Sequence, residues 1–374
     1  MKRKYILIVT TTLLVVSLLL TYGALSSEKP KLNEKDFFVG IDVAYDNSED
    51  IKTLINEVSN YTNVFLIGST GITRNSTKLN EIVRQLNDTN LHFIIYEEAP
   101  LLNTVSSIQT EFGDKFLGLQ YEDEAGGGQL DLASWRPVVE AANYSDAATQ
   151  WINMMQMYLN WQPRPSQPAP TDFRLFTVDY ALYWYDYKAG YDIVLAELGW
   201  NYSRQLNIAL CRGAATVLDK EWGVIVTWTY DHPPYIESGD QLYQDLILAY
   251  ENGAKYVLVF DSNKEYTGGI LEQEHLDALK RFWQYKENNP RSNNQDSNRV
   301  AYVLPKDYAY GFRGPNDKIW GLWEADDFSL EISKNLGAQL SWYQSMLDVV
   351  YDDGIVLNAT YSKYIFWNNT VYVL

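Results

Sequence analysis

Short apolar runs alternate with stretches of helical periodicity from Phe37 to Lys286, and all but one of the runs have a carboxylate within two residues of their C-terminal end. Phe37–Ala44, Asn63–Gly68, Leu91–Tyr96, Phe116–Tyr121, Phe173–Asp179, Asp192–Glu197, Trp222–Thr229 and Lys255–Asp261 read as buried strands. Between them, Glu49–Ser59, Leu79–Leu86, Ala147–Leu159, Ser203–Leu218, the stripe Leu242, Leu246 and Ala249, and Leu271–Lys286 place apolar residues at helical spacing. Near-continuous apolar strands imply a parallel sheet covered on both faces. Eight such units over about 250 residues predict a (β/α)8 TIM-like barrel over 36–288. An open doubly wound sheet is the alternative, and it often carries a glycine fingerprint after its first strand. Here that strand runs into Ala44-Tyr45-Asp46 instead.

The rest of the chain divides around this block. The Pro-rich stretch Pro163–Pro170 breaks regular structure before the fifth strand. Asn288–Arg299 is a polar linker, and 299–374 reads as a small C-terminal α/β unit. In that unit, strands at Val300–Leu304 and Ile365–Trp367 flank a helix at Leu330–Leu347. A unit so short has little core of its own and is expected to dock on the barrel. At the other end, Lys2-Arg3-Lys4 precedes an uncharged run from Tyr5 to about Leu25, long enough to cross a bilayer. Residues 1–28 therefore predict a hydrophobic helix acting as signal peptide or membrane anchor, with the positive flank inside and the remainder exported. Triplets headed by Asn60, Asn75, Asn87, Asn143, Asn201, Asn358 and Asn368 fit glycosylation outside the cell.

Net charge is −18, which argues against nucleic acid or an anionic membrane surface as partner. The lone cysteine, Cys211, lies in a helix-like stretch and reads as a small core residue. His92, His232 and His275 have no metal-ligand spacing, so neither metal nor cofactor is expected. The 29 Tyr and 12 Trp serve equally as core mass or as flat stacking faces for sugar rings.

In barrels of this kind chemistry sits at the C-terminal ends of the strands. Those ends carry Asp42, Glu97 and Glu98, the cluster Glu122-Asp123-Glu124, Asp179, Glu197, Asp231 and Asp261. Folding alone gives no reason to crowd like charges, since each raises the cost of ionising the next. Pairs of carboxylates with split pKa values are what acid–base chemistry on glycosidic bonds requires. Glu124 follows the densest cluster, just before Ala125-Gly-Gly-Gly128, which reads as a hinge or a close-approach loop. Glu197 lies in Leu195-Ala-Glu-Leu-Gly-Trp200, where apolar neighbours would raise its pKa; Arg204 or Arg212 on the next helix is a possible structural partner. The expected catalytic set is Glu124, Glu197 and Asp123. Substrate contacts are expected from Asp42, Glu97, Asp179 and Asp261, with Trp200, Trp228 and Tyr230 as stacking surfaces. Tyr183-Trp-Tyr185, Trp320 and Trp323 read more readily as packing.

Tyr121-Glu-Asp-Glu124 is similar to the Asp-Glu that closes strand four in barrel glycoside hydrolases of the clan A, β-galactosidase-like type, and a small α/β unit after the barrel resembles their layout. The resemblance implies Glu124 as acid/base. It also implies a glutamate nucleophile at the end of strand seven, where this chain has Thr227-Trp-Thr-Tyr-Asp231, so Glu197 or Asp231 would take that part. The expectation is an exported, membrane-anchored or secreted glycoside hydrolase-like protein at the cell surface that acts on carbohydrate. The alternative is a non-catalytic glycan-binding barrel.

Overall fold

The computed structural model describes residues 37–96, 102–160, 174–262, 269–291, 298–314, 316–359 and 361–373. The N-terminal segment, Glu97, Glu98 and the Pro-rich stretch lie outside the described residues. Among the described residues no helix is long and apolar enough to cross a membrane.

Eight strands form a closed barrel: β1 Phe38–Ala44, β2 Val64–Ile67, β3 His92–Tyr96, β4 Phe116–Asp123, β5 Leu175–Asp179, β6 Ile193–Leu198, β7 Glu221–Val226 and β8 Tyr256–Ser262. Each pairs in parallel with the next, and β1 closes the cylinder on β8. The helices outside the cylinder are α1 Ser48–Val58, α2 Thr70–Thr73, α3 Ser76–Asp88, α4 Leu102–Phe112, α5 Ala125–Leu130, α6 Tyr144–Asn160, α7 Tyr183–Ala189, α8 Arg204–Leu218, α9 Gly239–Glu251 and α10 Gln273–Asn288. Asn47, Asn75, Ser203 and Ser238 cap α1, α3, α8 and α9 by accepting first-turn amides, which satisfies donors the helix cannot.

Successive strand residues face opposite sides of a sheet, and the core splits accordingly. Phe38, Leu66, Ile94, Leu117, Phe176, Leu195, Ile225 and Leu258 fill the cylinder. Their neighbours Val39, Phe65, Phe93, Val194, Val224 and Val257 pack outward with the helices. The N-terminal mouth is closed by a polar plug. Arg174 pairs with Glu221 and donates to the Tyr256 hydroxyl at 2.7 Å, while Lys255 reaches Glu221 at 2.8 Å. The C-terminal mouth carries the acids.

The C-terminal unit is a four-stranded sheet of order β10-β9-β11-β12. Its strands are β9 Val300–Leu304, β10 Leu347–Tyr351, β11 Lys363–Phe366 and β12 Val371–Val373, and α11 covers Asp327–Tyr343. The expected helix end at Leu347 is a correction: that residue opens β10, because Leu347-Asp-Val-Val-Tyr351 carries the β-branched pair Val349-Val350 and pairs with β9. Docking is ionic at its centre. Asp348 is fully buried on β10 and receives Arg212 Nε of α8 at 2.6 Å and Arg299 Nη1 at 3.2 Å.

Candidate active site

The exit of β4 is held in an unusual path. Pairing with β5 slips between Gln120 and Asp123, and Glu122 and Glu124 both take the left-handed conformation at φ 55°. Non-glycine residues adopt it at a cost and tend to do so where a site is organised. Helix α5 starts directly after Glu124. Its first amides are taken up by Asp179 of β5, which accepts from Gly126 N at 2.5 Å, Gly127 N at 2.8 Å and Ala181 N at 3.0 Å. A Cβ on Gly127 would lie 2.0 Å from the Tyr180 ring, and one on Gly126 would lie 2.6 Å from the Ala181 carbonyl oxygen. The glycines are therefore not a hinge. They let a short helix press against the β5 exit, and Asp179 fixes Glu124 through it.

Glu197 lies one residue before the end of β6, on the inward register set by Ile193 and Leu195. It is only 3% exposed. Thr227 of the β7 exit donates to its Oε1 at 2.5 Å, and Asn207 Nδ2 holds its main-chain oxygen at 2.9 Å. Gly199 leaves room for this pair, since a Cβ there would lie 2.4 Å from Thr227 Oγ1. Oε2 has no donor. The Glu124 carboxyl comes within hydrogen-bonding reach of Glu197, and burial together with that neighbour pushes the Glu197 pKa well above the carboxylate range. Glu197 therefore keeps its proton to higher pH than an exposed glutamate would, through burial first and the neighbouring Glu124 second. Neither Arg204 nor Arg212 is the partner of Glu197: Arg204 pairs with Glu237 and Asp245, and Arg212 with Asp348.

Asp123 stands on the same mouth and is exposed to it. Its pKa is raised, first by the surrounding protein and then by Glu124, Asp42, Asp179 and Glu122. Water in the mouth offsets part of the first effect, so the neighbouring charges are the firmer cause. Asp42, on the inward register of β1, is 5% exposed with an unpartnered Oδ1. Burial and the Asp261 charge push its pKa up to about 8. Gly68 makes space for it, because a Cβ there would meet Asp42 Oδ1 at 2.2 Å.

Two acids expected to touch substrate do not reach the mouth. Asp179 and Asp261 occupy outward positions and are buried. Asp179 is spent on the amides of α5 and its loop, and its pKa rises to about 7 through burial opposed by those bonds. Asp261 accepts from Ile270 N at 2.7 Å and Leu271 N at 3.2 Å, and its pKa rises to about 6. Both are corrections: these groups position loops. Glu97 lies outside the described residues. Among the aromatics, Trp200 is 40% and Tyr230 42% exposed beyond β6 and β7. Trp228 is half-buried, edge-on to Tyr235 at 4.9 Å, and its carbonyl holds Trp200 N at 2.6 Å. Asp231 pairs with His232 in solvent. Tyr183, Trp184, Tyr185, Trp320 and Cys211 are buried packing residues.

Thr227 and Gln120 are site residues that sequence reading missed. Gln120 is buried beside Asp123, its Nε2 3.5 Å from Asp123 Oδ1 and its Oε1 without a donor. The signal for Thr227 was available: a hydroxyl at an inward position beside a strand-end glutamate. Among the described residues no group of three or more acids, histidines or cysteines is arranged to hold a metal ion. The described mouth thus offers a buried, proton-holding Glu197 beside Glu124 and flanked by further acids, an arrangement able to give and take a proton across a bound molecule.

No family model and no curated protein matches this chain. Among solved structures it is similar to alpha-L-fucosidase isoenzyme 2 from Paenibacillus thiaminolyticus, at 9% identity and TM-score 0.49, over 84% of this chain and 58% of that one. The chain thus spans less than two thirds of that enzyme's length. It is also similar to thiamine phosphate pyrophosphorylase from Pyrococcus furiosus, at 8% identity and TM-score 0.38, over 68% of this chain and 98% of that one. D-psicose 3-epimerase from Clostridium cellulolyticum H10, a structure with D-tagatose, gives 9% identity and TM-score 0.35, over 67% and 99% respectively. These likenesses are too distant to carry chemistry. The barrel itself rests on the closed order of its own eight strands.

Proposed function

We propose that this protein is a glycoside hydrolase whose working pair is Glu124 and Glu197. The observation that supports this reading is their convergence at the C-terminal mouth, within hydrogen-bonding reach, from strands far apart in the chain. The buried Glu197, whose pKa is raised first by burial and then by Glu124, is the general acid toward the leaving oxygen. Glu124, on the exposed β4 exit, is the nucleophile or base, the reverse of the roles implied by resemblance. Asp123 tunes the pair, and Trp200, Trp228 and Tyr230 offer apolar faces to a sugar ring.

The test is hydrolysis of a panel of aryl glycosides and polysaccharides by the full chain and by Glu124→Gln and Glu197→Gln. Loss of a positioned acid or base should cost about 10²–10⁴-fold in kcat. Unchanged rates in both variants would remove the assignment. We further propose a cell-surface location, supported by the basic flank and apolar run of residues 1–28 and by the exposure of Asn60, Asn75, Asn87, Asn143, Asn201 and Asn368. Recovery of the full chain in the soluble cytoplasmic fraction would refute it.

A further inference from the structure

We propose, building on the hydrolase reading, that the sugar accepted here carries a free amino group, and that Asp42, Asp123 and Gln120 form the subsite for its ammonium. Asp42 is 5% exposed, lies on the inward register of β1, and presents Oδ1 to no donor. The position is built rather than incidental, since any side chain at Gly68 would fill the space its carboxyl occupies. Gln120 is 3% exposed and its Oε1 is likewise without a donor. Asp123, whose Oδ1 lies 3.5 Å from Gln120 Nε2, adds a second carboxylate near enough to Asp42 for their charges to interact. A primary ammonium has three N–H groups and needs acceptors and negative charge in one place. Asp42, Asp123 and the Gln120 Oε1 supply them.

The charge around this subsite is one-sided. The strongest charges acting on Asp42, Asp123 and Glu197 all come from other carboxylates, with no described lysine or arginine among them. Buried acceptors without donors are costly and call for a partner. A metal ion is the less suitable one, since among the described residues no group of three His, Cys, Asp or Glu side chains could hold it. An ammonium on a ring fits because the ring spreads its contacts: its amino group meets Asp42, Asp123 and Gln120 while its glycosidic oxygen meets Glu124 and Glu197.

The experiment is calorimetric binding to the full-length protein of gluco- and galacto-configured amino-sugar oligomers, each beside its N-acetylated counterpart of equal length. At least one free-amine oligomer should bind about tenfold tighter than its acetylated twin, the scale of one charged hydrogen bond. Asp42→Asn, or Asp123→Asn if the first variant does not fold, should bring the two affinities together. If no pair differs by more than about twofold, or if neither variant narrows the difference, the ammonium subsite is wrong, whatever hydrolysis shows. Amine-selective binding that depends on Asp42 with no bond cleavage would instead keep the subsite and remove the hydrolase reading.

Discussion

Replacing Asp42 by Asn should make the protein more stable at neutral and alkaline pH while weakening its site. Asp42 is held in the barrel mouth with no donor to its Oδ1, and its pKa is raised from 3.8 to about 8 by burial and by Asp261. The folded chain therefore binds a proton that the unfolded chain has already released. Between those two values stability falls as pH rises, because the native state holds more protons than the unfolded one. One unit is about 1.4 kcal/mol, so the full rise sets a ceiling on the order of 6 kcal/mol. Water entry and relaxation bring the expected effect to about 2 kcal/mol. Asn matches the protonated acid in shape and polarity, so Asp42→Asn should be nearly neutral at about pH 4.5 and stabilising by about 2 kcal/mol at about pH 8. Urea unfolding midpoints for both proteins across that range provide the measurement. Equal pH slopes for the two, or a variant less stable at high pH, would refute the placement of an unpaired, proton-holding Asp42.

Three further outcomes follow from particular contacts. Thr227→Val keeps the side-chain shape but removes the donor to Glu197 Oε1. The Glu197 pKa should then rise by roughly one unit, moving the alkaline limb of the pH–rate profile upward; an unmoved limb would deny Glu197 the part of the acid. Gly127→Ala should cost about 1–3 kcal/mol in thermal unfolding and lower activity by displacing α5 from Asp179, since its Cβ would overlap the Tyr180 ring. Asp348→Asn strips the countercharge from buried Arg212 and from Arg299. It should destabilise the protein by about 3–5 kcal/mol, and the loss should show as enhanced proteolysis of the C-terminal unit.

Much of this was legible along the chain. The alternation of apolar runs with helical spacing determines a parallel closed sheet, because strands buried on both faces need helices outside and side chains within. The strand-end acids could have been sorted further by parity alone. Asp42 and Glu197 continue the inward positions of Phe38 and Leu195, while Asp179 and Asp261 continue outward ones. Other features were decided only by the tertiary structure. That Glu124 meets Glu197 depends on the left-handed turns and slipped register at the β4 exit. That Asp179 serves α5 depends on two glycines admitting its backbone. That Arg212 serves β10 rather than Glu197 depends on where the last sheet docks. Local sequence fixes period and face, since these follow from backbone geometry within a few residues. It cannot fix which distant group a polar side chain will meet, because that is set by closure of the barrel and by the space small residues leave open.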